Sequence, residues 1–558
     1  MKNITRLLSI LLVCAMLFVG CGQTKTPSST NSTASGNEDS SVTITTETNS
    51  EDVTTSTSTG ATEQTSSTAG NTTTGSSVSN ATTSKVSSTQ NRPTQSFGPS
   101  NTSGRVKDLG GRVIRFQISP TEDKSSAAYK AQLKNIAAIE KQLNCKIEFV
   151  EMHAQDEANG NRIVTSILAG NPIVDIWMSG TSKEFYSHYN AGLMQNLTAM
   201  NVFDYENITW DPCMQAVTIG GKNYMIRPMN SENASWNSFI LMFNNKLLNE
   251  YIPQYADKLY EWQKNGEWTW DKFEEVCKAF NKAAAADQTL TACFDRSGLV
   301  YSLLLATRGT DWIIADQKGN LSFNGLDKLA QEAMNQHTKY VKEGTIIFHD
   351  PQNVNDGWVA SSVGNVEGTK YSFLSNQALF AFNIVGGYYW NVFQNAGTSQ
   401  AVRDNVGVML PPKMKASDKY TYALPLAIGG HCIPAGVKNP AEVATVMNLL
   451  LCEPIVSLTE AEKRKSYFAT LIEPTLNNKT SALTLHSLES SYDAMARGDY
   501  FLMLSSYGII TSTNIYGDKD SGWVGNYLYD IAQGTVAQSA AVATVRSKYN
   551  KILADLFK

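Results

Sequence analysis

Val113-Ile114-Arg115-Phe116-Gln117-Ile118 alternates apolar and polar side chains, the pattern of a strand with one face buried. Pro120 and Thr121 end it. A helical stretch follows, with Tyr129, Leu133, Ile136, Ala137 and Leu143 spaced for one face. Lys146–Val150 then reads as a second strand. A second helix, roughly Arg162–Leu168, leads through Ala169-Gly170-Asn171-Pro172 to Val174-Asp175-Ile176-Trp177-Met178. Strand, helix, strand, helix, strand at this spacing predicts a parallel α/β sheet. In open parallel sheets ligands lie beyond the carboxyl ends of the strands. That rule makes Ser119–Lys124 and Ser179–Ser182 candidate site segments.

Toward the N-terminus the composition changes completely. Lys2 and Arg6 precede an apolar run from Leu7 to Val19, and Gly20-Cys21-Gly22 follow. A basic start, a short apolar core and a small residue before the cut describe a secretory signal, here residues 1–20. The run falls short of the ~20 residues that span a bilayer. Leu17-Phe18-Val19-Gly20-Cys21 resembles the bacterial lipobox, with Phe18 where that pattern prefers Leu. The resemblance implies lipidation at Cys21; ordinary cleavage leaving a free Cys21 is the alternative. Residues 21–108 are read as the lipidated Cys and a disordered linker. From Gln23 to Gly104 more than half the residues are Ser or Thr, and Phe97 is the lone aromatic. Such a segment buries too little apolar area to offset its ordering entropy. Its ends would lie ~50 Å apart as a flexible coil.

The body, 109–558, exceeds one ordinary core and predicts two or more domains or lobes. The net charge of -5, without a basic block, argues against nucleic acid as a partner. Six body cysteines, Cys145, Cys213, Cys277, Cys293, Cys432 and Cys452, form no Cys-x-x-Cys pair. Apolar surroundings at Cys145 and Cys277 favour buried free thiols, whereas export favours disulfides. Further along, Thr269 is placed to cap a helix that buries Phe273, Val276, Cys277 and Phe280. Helices are also expected at Leu326–Lys342, Ala441–Leu451 and Ala537–Leu556, and strands at Ala378–Ile384, Asn405–Met409 and Ala427–Ile433. Strands that return after long helical stretches suggest two lobes sharing the chain several times.

At this point the order of motifs resembles family 1 extracellular solute-binding proteins, the maltose-binding-protein-like sugar receptors of ABC importers. The stations are Ser166-Ile167-Leu168-Ala169-Gly170 before Val174-Asp175-Ile176, Asn190-Ala191-Gly192-Leu193, Gly221-Lys222-Asn223-Tyr224 and Leu241-Met242-Phe243-Asn244-Asn245-Lys246. Trp268-Thr269-Trp270-Asp271-Lys272-Phe273, Gln377-Ala378-Leu379-Phe380, Val406–Pro412, and Gly429-Gly430-His431 ahead of Lys438-Asn439-Pro440 complete the set. The resemblance implies a two-lobed periplasmic-binding-protein-like fold of type II, each lobe an α/β sheet flanked by helices around a cleft. Lobe 1 is expected at about 109–232 and 380–425, and lobe 2 at about 233–379 and 426–558. The chain would cross near Met229–Leu241, Ser375–Asn383 and Tyr422–Ile433. A carbohydrate ligand, an oligosaccharide, would bind in the cleft without covalent chemistry or cofactor. The monomeric body would meet permease subunits at the membrane that the lipid on Cys21 holds, on the outer face of a Gram-positive cell.

A sugar offers an apolar C–H face and a rim of hydroxyls, so a receptor needs aromatic platforms and planar hydrogen-bonding groups. Matching family positions, Trp236 lies at the first crossing, and Tyr389 and Trp390 follow Gly386-Gly387. His431 sits at the third crossing, and Trp523 follows Asp518-Lys519-Asp520-Ser521-Gly522. From the first lobe come Asp123, beside Glu122, and Ser179 and Thr181. Each has a plainer reading: core packing for a Trp near a strand end, a satisfied backbone group for His431, a helix first-turn charge for Asp123. Trp177, Trp262, Trp268 and Trp270 are read as core. The segment Asp350–Lys370, with Trp358, has no placed counterpart.

An extracellular glycan-acting enzyme is the principal rival, needing two carboxylates roughly 5–9 Å apart. The 51 acidic residues leave that open. Yet the chain lacks a Gly-x-Ser-x-Gly elbow, a His-Glu-x-x-His zinc motif and a phosphate loop, so neither catalytic residues nor a metal site is expected. A surface protein that captures glycan without a transporter is the third reading.

Overall fold

The computed structural model describes residues 101–556 except 119–123, 125–126, 153–156, 180–181, 206–213, 229–234, 296–297, 316–320, 326, 349–372, 395–397, 426–428, 457–458, 474–480 and 504–524. The signal and most of the linker, 1–100, therefore lie outside the described residues. In chain order the strands are β1 (Arg112–Ile118), β2 (Cys145–Glu151), β3 (Trp177–Ser179), β4 (Thr218–Ile219), β5 (Lys222–Asn223), β6 (Phe239–Asn244), β7 (Thr291–Asp295), β8 (Ile313–Ala315), β9 (Leu321–Phe323), β10 (Ile347–Phe348), β11 (Ala378–Ile384), β12 (Val406–Met409), β13 (Ala423–Pro425), β14 (Gly430–Cys432) and β15 (Phe501–Met503).

The opening sequence folds as its alternation predicts. β1 and β2 pair in parallel from Arg112 opposite Cys145 to Ile118 opposite Glu151. Parallel strands need a crossover, supplied by the helix Ala127–Leu143. Its buried face is Gln132, Ile136, Ile139 and Leu143, while Leu133 is 42% exposed. The expected face was therefore turned by about one residue, because Leu133 and Ala137 look outward. On the other side of β1, Phe116 bridges in parallel to Ile176, just ahead of β3. β3 pairs antiparallel with β14, and His431 of β14 bridges antiparallel to Ile226. One row thus runs β2, β1, β3, β14 and the segment around Ile226.

The second sheet runs β10, β7, β11, β6, β12. β10, β7 and β11 are parallel, β6 is reversed against both β11 and β12, and β12 is therefore parallel to β11. Its strands are apolar on both faces, as the runs Phe239–Asn244 and Ala378–Ile384 require for a sheet covered on both sides. Leu241, Phe243, Phe380 and Phe382 enter one core with Trp268, Trp270 and Phe273. The alternate residues Ile240, Met242, Ala381 and Val408 enter another with Trp236, Tyr388 and Tyr467. The helix Trp270–Ala283 covers the first face, and Thr269 caps it by accepting from Lys272 N, as read from sequence.

The two sheets share one design: second, first and third strands parallel, then a reversed strand, then a fourth parallel one. In each sheet the reversed strand is supplied by chain that has just come from the other sheet. This is the two-lobed α/β arrangement expected. The lobe boundaries differ from those expected, however. β11 and β12 belong with β6 and β7, so the chain from Ala378 to Met409 returns to the second sheet rather than joining the first, and Ser375–Asn383 is no crossing. β14 and the helix Pro440–Met447 return to the first sheet, where Thr445 Oγ1 accepts from Val106 N at 3.1 Å and Glu442 pairs with Arg112. The chain then crosses back at 453–460, since Tyr467 Oη donates to Leu488 O on the helix Ser481–Arg497. That helix lies on β12, with Thr484 and Ser487 hydrogen-bonded to Val408. A fully apolar strand carries no mark of which sheet it will join, which is why sequence placed this crossing wrongly.

Candidate functional site

Chain leaving the first sheet at Met225–Arg227 leaves at its carboxyl edge, because Ile226 runs parallel to β3. It enters β6, whose first residue Phe239 lies opposite Ile384 at the end of β11. The described ends of this passage, at Arg227 and at Ser235–Ser238, therefore lie at the carboxyl edges of the two sheets, where ligands of open α/β sheets bind. The passage from β12 to β14 also ends at the first sheet's carboxyl edge, since Gly430 lies opposite Ser179.

At the first sheet, β1 and β3 diverge beyond Phe116, and Gln117 fills the gap. Its Oε1 accepts from Met178 N and its Nε2 donates to Met152 O, both at 2.8 Å. Ser179 is wholly buried, and its Oγ finds no hydrogen-bond partner among the described residues. His431 is held by its backbone between Met178 and Ile226, with its ring 5.5 Å from Phe116. Burial first, and the neighbouring Arg227 second, push its pKa down to about 4, so the ring is neutral near pH 7. Arg227, buried beside it, donates from Nη1 to Gly429 O at 3.2 Å. A Cβ on Gly430 would stand 2.7 Å from Ile226 O, so only glycine fits between these strands. At the ends of β1 and β2 Lys124 pairs with Glu151 at 2.7 Å, a hydrogen bond that raises the lysine pKa.

At the second sheet, Ser235–Ser238 is a buried turn, and Ser238 O accepts from Val385 N at 3.0 Å. The Trp236 ring meets Tyr389 edge-on at 5.1 Å. Gly386 packs against it so closely that a Cβ there would lie 3.2 Å from Trp236 O. Gly387 likewise makes room for the Asn383 side chain. Trp236 is only 7% exposed, so it packs the joint, and Tyr389, half-buried, presents the more accessible ring. Tyr389 opens a wide π-helical turn, Tyr389–Gln394, a type of turn frequent at functional sites.

The candidate residues thus fall into two groups: Ser179 and His431 at the first sheet, Trp236 and Tyr389 at the second. Trp390 follows in the same wide turn, its side chain outside the described residues, as are Asp123, Thr181, Trp523 and the segment Asp350–Lys370. Trp177, Trp268 and Trp270 are core as read, Trp177 lying 4.6 Å from the His188 ring. Sequence reasoning passed over Arg227 and Gln117. The signal was available for Arg227, a lone charge after Met225-Ile226 and before Pro228. Among the described residues no cluster of three or more His, Cys, Asp or Glu side chains is placed to hold a metal, and no helix is long and apolar enough to cross a membrane.

No family model matches the chain, and none of the curated proteins does. Solved structures do. A cyclo/maltodextrin-binding protein complexed with maltotetraose is 17% identical, with a TM-score of 0.46, covering 79% of this chain and 96% of that one. The GacH receptor of Streptomyces glaucescens, solved unliganded and with acarbose, is 14% identical, with a TM-score of 0.46 and coverage of 80% and 99%. A sugar transporter from Rhizobium etli in an open conformation is 13% identical, with a TM-score of 0.48 and coverage of 78% and 99%.

Proposed function

We propose that this chain is a lipid-anchored extracellular receptor of an ABC importer, binding an oligosaccharide between its lobes and delivering it to the permease. One observation carries the reading: the chain leaves the first sheet at its carboxyl edge, beside polar groups, and enters the second at its carboxyl edge, beside an aromatic ring. Tyr389, braced edge-on by Trp236, suits the C–H face of a sugar ring. On the first sheet Ser179 and Arg227 form the polar carboxyl edge, both buried, with Arg227 donating to Gly429 O. Such a site binds by stacking and hydrogen bonding and needs no reacting group. Lipid on Cys21 would hold the body at the outer face of the membrane, and the linker of 21–108 would let it swing from captured glycan to permease.

The test is a thermal-shift screen of the full chain against a panel of linear and cyclic gluco-oligosaccharides, with product analysis of each hit. Binding raises the melting temperature by mass action, by about 2.7 kcal/mol of stability at a hundredfold excess over Kd. A hit whose Kd rises at least about tenfold in Tyr389→Ala, with the glycan recovered intact, supports the reading. Turnover of the glycan overturns it. Incorporation of labelled palmitate that is lost in Cys21→Ser tests the anchor separately.

A further inference from the structure

The helix Ala127–Leu143 buries Gln132, Ile136, Ile139 and Leu143 against the first sheet. Its opposite side carries Lys130, Lys134, Ala137 and Lys141, spaced i, i+4, i+7 and i+11, so they form one stripe, and all four are exposed. Leu133 flanks the stripe and is itself 42% exposed. Local chemistry works against this stripe. Lys130 and Lys134 repel each other at i and i+4. Lys130 also lies toward the positive end of the helix dipole, and the first turn holds no acidic residue. The helix's own carboxylate, Glu140, turns to the edge of β2, where Oε1 accepts from Ile147 N at 2.9 Å and Oε2 pairs with Lys146. On the helices Trp270–Ala283 and Lys328–Lys342, by contrast, Lys278 and Lys339 both pair with Glu274. Among the described residues none of the three stripe lysines pairs with an acid, although Lys124 and Lys146 nearby do. Three like charges that cost the helix stability and have no acid of their own call for a negative partner outside the chain.

The N-terminal segment joins the body at one end of this helix. Leu109 N donates to Leu143 O and Gly111 N to Asn144 O, each at 2.7 Å, and Asn144 Nδ2 donates to Asp108 Oδ1 at 2.9 Å. Further back, Val106 N donates to Thr445 Oγ1 at 3.1 Å, Arg105 Nε to Val202 O at 2.9 Å and Gly104 N to Asn201 O at 2.9 Å. Residues 104–108 are therefore held on the first lobe. β1 begins at Arg112, so they lie at the amino edge of the first sheet, away from Ser179 and Gly430 at its carboxyl edge. A membrane that holds the N-terminal segment is thus tethered to the edge at which the lysine stripe ends.

We propose that Lys130, Lys134 and Lys141, with Leu133, form a docking face for the anionic lipid surface to which the chain is tethered. The ammonium groups meet lipid phosphates and Leu133 enters the headgroup layer, while the carboxyl edge of the sheet takes no part. Each lysine near such a surface raises the docked-to-free ratio roughly fivefold, so the three give about a hundredfold. Tethering makes so weak a face effective, because it keeps the local concentration of lipid high. The inference rests on the membrane-tether part of the proposed function and on none of its sugar-binding part.

The test places an environment-sensitive fluorophore on an unnatural residue at position 133, and in a second sample at the exposed position Lys282 of the second lobe. The full chain is reconstituted on phosphatidylglycerol or phosphatidylcholine vesicles, and co-flotation with phosphatidylcholine reads the tether alone. The expected result is a blue-shifted emission at 133 on phosphatidylglycerol, absent on phosphatidylcholine and absent at 282. The shift should be lost in Lys130→Gln/Lys134→Gln/Lys141→Gln, and also in about 1 M salt, which screens charges beyond ~3 Å. In a co-floating chain, no shift at 133 on phosphatidylglycerol overturns the inference, and so does a shift that persists on phosphatidylcholine or in salt. The salt arm uses the unaltered chain, so it decides even where the triple variant fails to fold; a folded variant that keeps the shift overturns the inference as well. An equal shift with dissolved polyphosphate and no vesicles assigns the face to a soluble polyanion and overturns the membrane. Loss of co-flotation on both lipids overturns the tether and the docking face together.

Discussion

Adding one methyl group at Gly430 and at Gly160 should move stability in opposite directions. At Gly430 the new Cβ would lie 2.7 Å from Ile226 O, 2.7 Å from Met225 Cγ and 2.9 Å from Met225 Sδ. The Met225 side chain can swing aside. The Ile226 carbonyl cannot, because it accepts from His431 N at 2.9 Å and holds the passage strand to β14. Overpacking costs about 1–3 kcal/mol, and loosening that bond adds about 0.5–1.5 kcal/mol. Gly430→Ala should therefore lose roughly 2–4 kcal/mol. Gly160 lies inside the helix Glu157–Leu168, with nothing within 4 Å of an added Cβ. There alanine removes the backbone freedom that glycine loses on folding, so Gly160→Ala should gain about 0.5–1 kcal/mol. Urea denaturation of both variants at one pH measures the pair. A Gly430→Ala midpoint at or above that of the parent, or a lowered one for Gly160→Ala, would refute the steric argument.

Gln117→Leu leaves Met178 N and Met152 O without their buried partner and should cost about 2–4 kcal/mol in the same assay; a loss below about 1 kcal/mol would mean water replaces the amide. The lowered pKa values of His431 and His188, both about 4 and both caused mainly by burial, make the neutral rings part of the native state. Their stabilisation is complete above pH 6.5 and is lost as pH falls from there toward 4, by up to about 1.4 kcal/mol per pH unit for His431; a urea midpoint no steeper in pH than that of His431→Gln would contradict the assignment. Cys145, Cys277, Cys293, Cys432 and Cys452 are buried free thiols, and burial raises the pKa of each. They should therefore react with a thiol reagent only after unfolding, and rapid labelling of any of them in the native chain, read by peptide mapping, would count against that burial. Thr269→Ala removes the cap on Lys272 N and should cost about 1 kcal/mol, whereas no change would mean water caps the helix equally well.

The parallel start of the body was legible because alternation along β1, a helical stretch and β2 leave few arrangements open. Even there the helix face was misjudged: Leu133 fits the spacing as well as Gln132 does, and only packing buries the amide and exposes the leucine. The second sheet was legible as strands but not as a sheet. β6, β11 and β12 are apolar on both faces, so nothing local says which neighbours they take. Trp236 and Tyr389 were each legible as aromatic candidates, Tyr389 through the glycines that precede it, but not as neighbours. That Trp236 would be clamped by Gly386 depended on a backbone approach that sequence does not display. Arg227 was readable in principle, since an isolated charge in an apolar strand calls for a buried partner.

The placing of the site follows from the reversed strands. A strand that runs against three parallel neighbours must begin where they end. Chain arriving from the other lobe to form it is therefore delivered to the carboxyl edge. Because both sheets contain such a strand, the described ends of two passages, Arg227 and Ser235–Ser238 in one and Gly430 in the other, lie at the edges where ligands of parallel sheets collect. That explains why Gly430, Arg227, Trp236 and Ser179, far apart in sequence, gather at those edges. The third passage joins helices and answers to no such rule. A sheet passage that stretched would break the His431–Ile226 pair. The backbone pairing of His431 with Ile226 and of Gly430 with Ser179 therefore holds the candidate residues of the first sheet in register.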